Sequence, residues 1–426
     1  MILNRRYTPT NFRFFTGLLR FTYGNWLKLR YRITAINTQL FKELKPPFLL
    51  VGNHTTILDP FIANAFVPFP VHWVASDGNM RNPIIRFMLI KLVGSIPKSK
   101  AIPDIETVNW IVDLISHKHG VVGMYPEGQS TWTGTSFPVY SSSAKLLRLL
   151  RVPVVLVKTN GGYLTKPRWS HVLRQGKVEI SFSLLFSPEQ LGAMRPSTVD
   201  RLLNEALSYD DSAWCKRKGI EFKSTKGAES LELAIYLCPR CGERASMHSQ
   251  GNLFTCKQCG FAVEYQHDGS FLLHSQGDRE DYILPFVEAP FLDSIVSWDS
   301  LQSRLLYQYL SGLKSAYLEA PFFLDEPIKL KRGKRMDHME TLLNGRIELY
   351  RDRLEFHNTR NTKLDPIVFP IEQIDGEGVL KWNYFEFYHG MNVYRVVFKD
   401  KRASGRKYAD AISVLHQISK SHLPGR

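Results

Sequence analysis

Two sets of residues in this 426-residue sequence have the types and spacing needed for chemistry. The first begins in FLLVGNHTTILDP, where the hydrophobic run Phe48–Gly52 delivers Asn53 and His54 to its end and Asp59 follows five residues after the histidine. An imidazole takes up a proton near neutral pH, and a carboxylate within reach holds its tautomer and stabilises the imidazolium that forms. His54 and Asp59 therefore have the makings of a base and its orienter, with a substrate hydroxyl as the third member of a triad. Asp59 also has a plainer reading, because an Asp-Pro pair (Asp59-Pro60) suits the first turn of a helix. Seventy residues on, VVGMYPEGQSTWTG repeats the arrangement, an apolar run ending in the turn Tyr125-Pro126-Glu127-Gly128. Gly128 allows close approach of backbone to a ligand, and Glu127 is placed to orient a hydroxyl or a base.

The second set is Cys238-Pro-Arg-Cys241, fourteen residues, then Cys256-Lys-Gln-Cys259. Each C-x-x-C pair turns two thiolates to one side of a tight knuckle, and two facing knuckles complete a tetrahedron for Zn²⁺. Gly242 and Gly260 after the pairs suit the backbone turn of a zinc ribbon. Four thiolates leave no open coordination position, so the zinc is expected to be structural. Paired thiols of this kind belong to a reducing compartment, and the remaining Cys215 reads as an ordinary free thiol.

These residues must be positioned by a folded scaffold. With 44% hydrophobic and 22% charged residues, the composition is that of a globular protein and excludes global disorder. The net charge of +15 favours anionic partners: phospholipid surfaces, phosphorylated substrates or nucleic acid. No run of about 18 apolar residues occurs, and the start lacks the apolar core of a secretory signal, so neither a spanning helix nor export is expected. Residues 1–50 carry nine Lys or Arg against the single acid Glu43, interleaved with Phe12, Phe14, Phe15, Phe21 and Trp26. Basic residues among large aromatics over a helical length match an interfacial helix at a phospholipid membrane surface.

From 46 to about 190, short β-branched runs alternate with helical stretches, the pattern of an α/β domain. Strands are expected at 48–52, 72–75, 121–125, 152–158 and 178–184, with helices at about 60–67, 82–93, 104–118 and 141–150. The full division reads 1–45 as the membrane-contact segment, 46–226 as a central mostly parallel β-sheet flanked by helices, and 227–275 as the small four-cysteine zinc ribbon. A helical linker follows at 276–340, with KLKRGKR (329–335) as a solvated connector, then a β-rich domain at 341–426 closed by a helix over about 405–419.

His-x-x-x-x-Asp after a strand, preceded by Asn53, and a later Tyr-Pro-Glu-Gly after a strand together resemble the glycerolipid (lysophospholipid) acyltransferases, the family containing 1-acyl-glycerol-3-phosphate acyltransferase. GSIPKSK (94–100) and VPVVLV (152–157) look like two further blocks of that family in the expected order, and the resemblance covers roughly residues 30–190. It implies transfer of a fatty acyl group from acyl-CoA or acyl-carrier protein to a lysophospholipid hydroxyl, a step of phospholipid biosynthesis on the cytoplasmic side of a membrane. The catalytic set it implies is His54, Asp59 and Glu127, with no acyl-enzyme and no metal in catalysis. Asn53 and Gly128 are expected to contact substrate, and Lys100, with Lys98 as second candidate, to bind the acceptor phosphate. Amides near Glu127–Gly128 or around His54 are expected to receive the oxyanion.

Two departures from the family pattern bear on the acceptor. Gln129 and Ser130 stand where the turn usually continues with a small residue and then Arg, and Lys100 stands where Arg is common. A lysophospholipid with a head group is therefore an alternative to lysophosphatidic acid. Residues 341–426 resemble the pleckstrin-homology or GRAM-like superfold, strands first and closing helix last. The competing reading is a noncatalytic lipid- or nucleic-acid-binding adaptor with an acyltransferase-like domain. Arg240, Arg244 and Lys257 around the cysteines support it, and intact His54, Asp59 and Glu127 argue against nucleic acid as a partner.

Overall fold

The computed structural model describes residues 9–99, 104–274, 292–312 and 320–421. The chain forms two compact units, residues 1–168 with 173–224, and residues 169–172 with 225–426.

In the first unit, α1 (Arg13–Leu19) continues through a wider turn, Arg20–Gly24, into α2 (Asn25–Arg30). There follow β1 (Thr34–Ile36), α3 (Leu40–Glu43), β2 (Phe48–Gly52), α4 (Asp59–Asn64), β3 (Val71–Ser76), α5 (Pro83–Phe87), β4 (Ile96–Lys98), α6 (Ile105–Val112) and β5 (Val121–Met124). The unit ends with α7 (Ser142–Leu150), β6 (Val154–Asn160), α8 (Gly162–Thr165), β7 (Glu179–Phe186), α9 (Pro188–Ala193), α10 (Pro196–Leu207) and α11 (Asp211–Lys218). The strands form one seven-stranded sheet in the order β1-β7-β6-β2-β5-β3-β4. Every neighbouring pair is parallel except β6 and β7.

Strand β2 is buried at every position, which is why its sequence is a continuous apolar run rather than an alternating one. Its alternate residues face two cores. Leu49 and Val51 pack with Trp110 and Ile111 of α6, Leu147 of α7 and Leu203 of α10. Phe48 and Leu50 pack with Leu27 of α2, Phe41 of α3 and Ile62 of α4. The central strand is thus held from both sides, and the residue that follows it is fixed.

The sequence reading missed β1 and β4. Each is three residues long and lies at an edge of the sheet, so neither shows a period or a fully buried run.

The second unit contains β8 (Met247–Gln250), β9 (Leu253–Cys256), β10 (Ala262–Tyr265) and β11 (Phe271–Leu273), an antiparallel sheet in the order β11-β10-β9-β8. A helix, Ile295–Gly312, follows. Then come β12 (Phe323–Gly333), β13 (Glu340–Leu349), β14 (Arg353–Asn358), β15 (Ile367–Pro370), β16 (Asp375–Leu380), β17 (Tyr384–His389), β18 (Asn392–Phe398) and a closing helix, Arg406–Ser421. These strands form an antiparallel sheet ordered β15-β14-β13-β12-β18-β17-β16.

Two expectations change here. KLKRGKR is not a connector, because Lys329 to Gly333 belong to β12, with Ile328 and Leu330 fully buried and the lysines between and after them facing outward. Charges on the outer face of a half-buried strand mimic a polar linker when read in one dimension. The segments 227–275, 276–340 and 341–426 also fall in one compact unit rather than three. Trp298 of the helix packs on Phe254, Phe261 and Phe271 of the cysteine module and donates to the carbonyl of Leu237 at 3.0 Å. Gln302 accepts from the amides of Tyr236 and Leu237, and buried Arg406 of the closing helix donates to the Ala234 carbonyl and to Asp299.

Candidate active site

β2 ends at Gly52, between β5 and β6, and the chain beyond it turns into the loop that precedes α4. His54 Nδ1 lies 2.8 Å from Asp59 Oδ2. The same Asp59 oxygen accepts the Thr56 amide at 2.9 Å, and Oδ1 accepts the Thr55 hydroxyl at 2.7 Å. A carboxylate can only accept, so Nδ1 carries the proton and Nε2 keeps its lone pair. The His54 side chain retains 19% exposure, whereas that of Asp59 has none. The helix-cap reading of Asp59 is not what its carboxylate does. It sits at the first position of α4 and points back at the loop, and the residue before it makes no side-chain cap.

The imidazole is also held face-on. Tyr125 stacks on His54 with ring centroids 4.5 Å apart, and Trp73 stacks on the far side of Tyr125 at 5.1 Å. Two glycines make room for this three-ring stack: a Cβ at Gly52 would lie 2.9 Å from the Tyr125 ring, and one at Gly123 would lie 2.5 Å from Trp73. Burial pushes the Tyr125 phenol well above its ordinary range, with the Asp59 charge adding to the shift.

Glu127 is buried, and backbone amides take up its carboxylate. Its Oε1 accepts the backbone amide of His54 at 2.8 Å and its Oε2 that of Phe137 at 2.8 Å. Burial raises its pKa to about 7, and the two amide donors only partly offset that. The His54 carbonyl is held as well, by the Thr131 amide at 3.0 Å and by the Tyr209 hydroxyl at 3.5 Å.

Asn53, expected to contact substrate, is fully buried, and its amide forms a reciprocal pair with the Thr159 peptide, 2.8 Å in each direction. It ties β2 to β6. Gly128 occupies a turn at φ +73° with its amide on the Tyr125 carbonyl at 3.0 Å. The amides of His54 and Gly128, expected as oxyanion donors, are therefore already engaged. Lys98 lies on β4, three strands from β2 or roughly 14 Å across the sheet, and its ammonium meets the Ser99 carbonyl at 2.6 Å. Lys100 lies outside the described residues.

One cation that sequence reasoning missed stands beside the turn after Glu127. Arg168 Nη1 donates to Gln129 Oε1 and to the Ser130 carbonyl, both at 3.0 Å, and its guanidinium lies 4.4 Å from the centroid of Trp132. Its loop is tied to the histidine loop, since the Thr56 hydroxyl donates to the Lys166 carbonyl at 3.2 Å. Thr55, Tyr209 and Asp211 were also missed. Nothing in their local sequence distinguishes them, although the absence of a turn arginine was itself a signal to look for a guanidinium elsewhere.

In the second unit, Cys238, Cys241, Cys256 and Cys259 bring their sulfurs within 4.8 Å of one another. Cys238 lies 3.7 Å from Cys259, and Cys241 3.8 Å from Cys256. A Zn–S bond of 2.3 Å gives a tetrahedral edge of about 3.8 Å, so the cluster has the size of a zinc site. Both knuckles close alike: Gly242 donates to the Cys238 carbonyl and Gly260 to that of Cys256, each at 3.0 Å and each with positive φ. The four cysteines can hold a metal ion.

Residues 32–158 match the model of the acyltransferase family. That span contains His54, Asp59 and Glu127. Among solved structures, the chain is similar to the 1-acyl-sn-glycerophosphate (LPA) acyltransferase PlsC from Thermotoga maritima, at 16% identity and a TM-score of 0.40, covering 48% of this chain and 79% of that one. It is also similar to the Vps36 N-terminal PH domain, at 16% identity and a TM-score of 0.20, covering 24% of this chain and 81% of that one. Comparison with curated proteins finds no match. The chain therefore carries an acyltransferase domain, whose chemistry is to be read from the site itself.

Proposed function

We propose that this domain transfers a fatty acyl group from an acyl-CoA or acyl-carrier-protein thioester to the free hydroxyl of a lysophospholipid, most directly 1-acyl-glycerol-3-phosphate, giving phosphatidic acid. The observation that carries the reading is the 2.8 Å contact between His54 Nδ1 and an Asp59 carboxylate that is otherwise filled by Thr55 and Thr56. With Nδ1–H directed at Asp59, Nε2 takes the proton from the acceptor hydroxyl as its oxygen bonds to the thioester carbonyl carbon. The tetrahedral intermediate collapses with cleavage of the C–S bond, and the departing thiolate recovers the proton from Nε2. Glu127 acts through the His54 backbone and serves as a positioning residue. Arg168, held by Gln129 and Ser130 just after the Glu127 turn, is the cation we assign to the acceptor phosphate, since a guanidinium fixed by acceptors and an aromatic face is preorganised for an oxyanion.

Access to a lipid acceptor is supported by the surface of α1 and α2. Phe12, Phe14, Leu18, Phe21 and Leu29 are exposed, with Arg13 and Arg20 among them. The amides of Thr10 and Phe12 bond to the carbonyls of Ile90 and Leu92, beside α5, which exposes Ile84 and Phe87. Apolar rings amid basic side chains suit an anionic lipid surface, which makes the reading one of peripheral association. No helix among the described residues is long and apolar enough to cross a membrane. In the second unit, zinc is the ion we assign to the four cysteines, as a structural element.

The test is acyl transfer by the purified full chain, assayed with acyl-CoA and acyl-carrier-protein donors against a panel of lysophospholipids, with His54→Ala as control. Transfer abolished by the substitution supports the reading. An inactive wild-type chain that still binds lysophospholipid vesicles would instead make it a lipid-binding adaptor.

A further inference from the structure

We propose that Gly162 and Asp211 are positioning residues of this site: Asp211 pins the turn after β6, and the bare backbone of Gly162 in that turn confines the Thr55 hydroxyl to Asp59. The inference rests on His54 and Asp59 being the base and orienter of the reaction proposed above. It places part of their support beyond residues 32–158, the span that matches the acyltransferase family.

The two oxygens of the buried Asp59 carboxylate have separate partners. Oδ2 serves His54 Nδ1 and the Thr56 amide, and Oδ1 accepts the Thr55 hydroxyl at 2.7 Å. Thr55 is β-branched, so its hydroxyl has few staggered positions to choose from, and the one it takes helps to set the carboxylate. Thr55 has no exposure, and the backbone of Gly162 stands directly against it. A Cβ at Gly162 would lie 2.1 Å from Thr55 Oγ1, 3.1 Å from Thr55 Cβ and 3.2 Å from Thr159 Cγ2. The closest of these contacts is with the hydroxyl itself. Gly162 begins α8 and lacks the positive φ of Gly161, so its backbone conformation does not call for glycine. The close approach of Thr55 does.

Such a backstop works only if the turn cannot recede. Asp211, fully buried at the start of α11, accepts the Gly161 amide on Oδ1 at 2.9 Å and the Tyr163 amide on Oδ2 at 2.8 Å, one on each side of Gly162. The Asp211 amide in turn donates to the Gly134 carbonyl at 2.9 Å, and the Tyr163 hydroxyl to the Trp132 carbonyl at 3.1 Å. The strand that feeds the turn is joined to the residue after β2 by the reciprocal pair of Asn53 and Thr159. Turn and histidine loop are thus fixed in one frame. Asp211 is a buried carboxylate that the acyl transfer itself does not use, and both its oxygens are spent on the peptides that flank Gly162.

The test measures kcat and both KM values of the purified full chain for Gly162→Ala, Thr55→Ala, their double variant, and Asp211→Asn with and without Thr55→Ala. A 2.1 Å contact must open by about 1 Å, and a misplacement of that size costs up to about 10²-fold. Gly162→Ala is therefore expected to lose about 10- to 100-fold in kcat with both KM values within about twofold of wild type. In the Thr55→Ala background it should add less than about twofold, since the hydroxyl it displaces is gone. Asparagine at 211 can accept only one of the two amides, so Asp211→Asn should also lower kcat, and only in chains that keep Thr55. A Gly162→Ala chain with wild-type kcat, or one whose loss persists in full beside Thr55→Ala, would overturn the proposal and leave the turn as packing. Should Gly162→Ala not fold, Asp211→Asn decides: a loss that is absent, or undiminished by Thr55→Ala, overturns it.

The imidazole nitrogen resonances of His54, read by NMR without substrate, report the same contact. They should move in Thr55→Ala, move likewise in Gly162→Ala, and move no further in the double variant. A chain inactive in acyl transfer that shows these shifts would sink the acyl-transfer reading and leave the Gly162 assignment standing, whereas resonances unmoved by Gly162→Ala would sink the assignment.

Discussion

Asp59→Asn separates the two tasks that a carboxylate performs for a base, because the surrounding donors dictate how an asparagine must sit. The Thr56 amide can only donate, and it shares one Asp59 oxygen with His54 Nδ1. The side-chain carbonyl of the introduced asparagine must therefore occupy that position, leaving its NH₂ toward the Thr55 hydroxyl, which lies 2.7 Å from the other oxygen in the wild type and can turn to accept. His54 then keeps its proton on Nδ1 and its lone pair on Nε2. What disappears is the negative charge that stabilises the imidazolium. The difference between a charge-assisted and a neutral hydrogen bond is about 1–2 kcal/mol, or roughly 5- to 30-fold in kcat. Inversion of the tautomer would cost about 10⁴-fold, as in a triad whose amide cannot reorient. Continuous detection of released CoA thiol at saturating acceptor, with the fold checked by circular dichroism, measures this range. Thr55→Val combined with Asp59→Asn should deepen the defect, because the amide nitrogen then has no acceptor. A loss of 10³-fold or more in Asp59→Asn alone would refute the hydrogen-bond map around Asp59, and so would no loss at all.

Arg168→Ala should raise the acceptor KM about 10- to 100-fold while leaving the donor KM unchanged, the loss of one charge-assisted contact to phosphate. A phosphate-free monoacylglycerol acceptor, run in parallel, should be indifferent to the substitution, and Lys100→Ala and Lys98→Ala tested alongside decide whether the GSIPKSK segment shares the task. Protein purified without chelators should contain one zinc per chain, and Cys259→Ser should release it and unfold the cysteine module, seen as loss of the Trp298 fluorescence environment. Metal analysis without zinc would remove that ion. Phe14→Asp with Phe21→Asp should weaken sedimentation with anionic vesicles at least tenfold while leaving the circular dichroism spectrum unchanged, and unchanged binding would place lipid contact elsewhere.

The pairing of His54 with Asp59 was legible because it is local. Five residues separate them, a buried strand fixes the first and the start of a helix fixes the second, so backbone geometry leaves few other outcomes. The cysteines were legible for the same reason, two residues within each pair and a glycine after it to close the turn. The α/β pattern of the first unit showed because β2 and β5 are buried at every position and read as continuous apolar runs, and β6 opens with one, Val154 to Val157. β1 and β4 escaped because three residues at a sheet edge carry no period.

The direction in which Glu127 points was decided elsewhere. Its motif put a carboxylate at a strand end, but whether that carboxylate met substrate or the His54 amide depended on β5 lying beside β2, and strand order leaves no trace in periodicity. Asp211, Tyr209 and Arg168 reach the site from 157, 155 and 114 residues beyond His54, across a sheet whose order is β1-β7-β6-β2-β5-β3-β4. A lone aspartate at a helix start or a lone arginine in a loop is chemically ordinary in one dimension, and burial, which gives each its effect, exists only once the sheet has assembled. The sequence by itself determined that His54 would meet Asp59 and that the four cysteine sulfurs would converge, because their partners are near neighbours along the chain. The tertiary structure decided which distant charges would surround them, because Coulomb interactions depend on separation in space and on the water that folding removes.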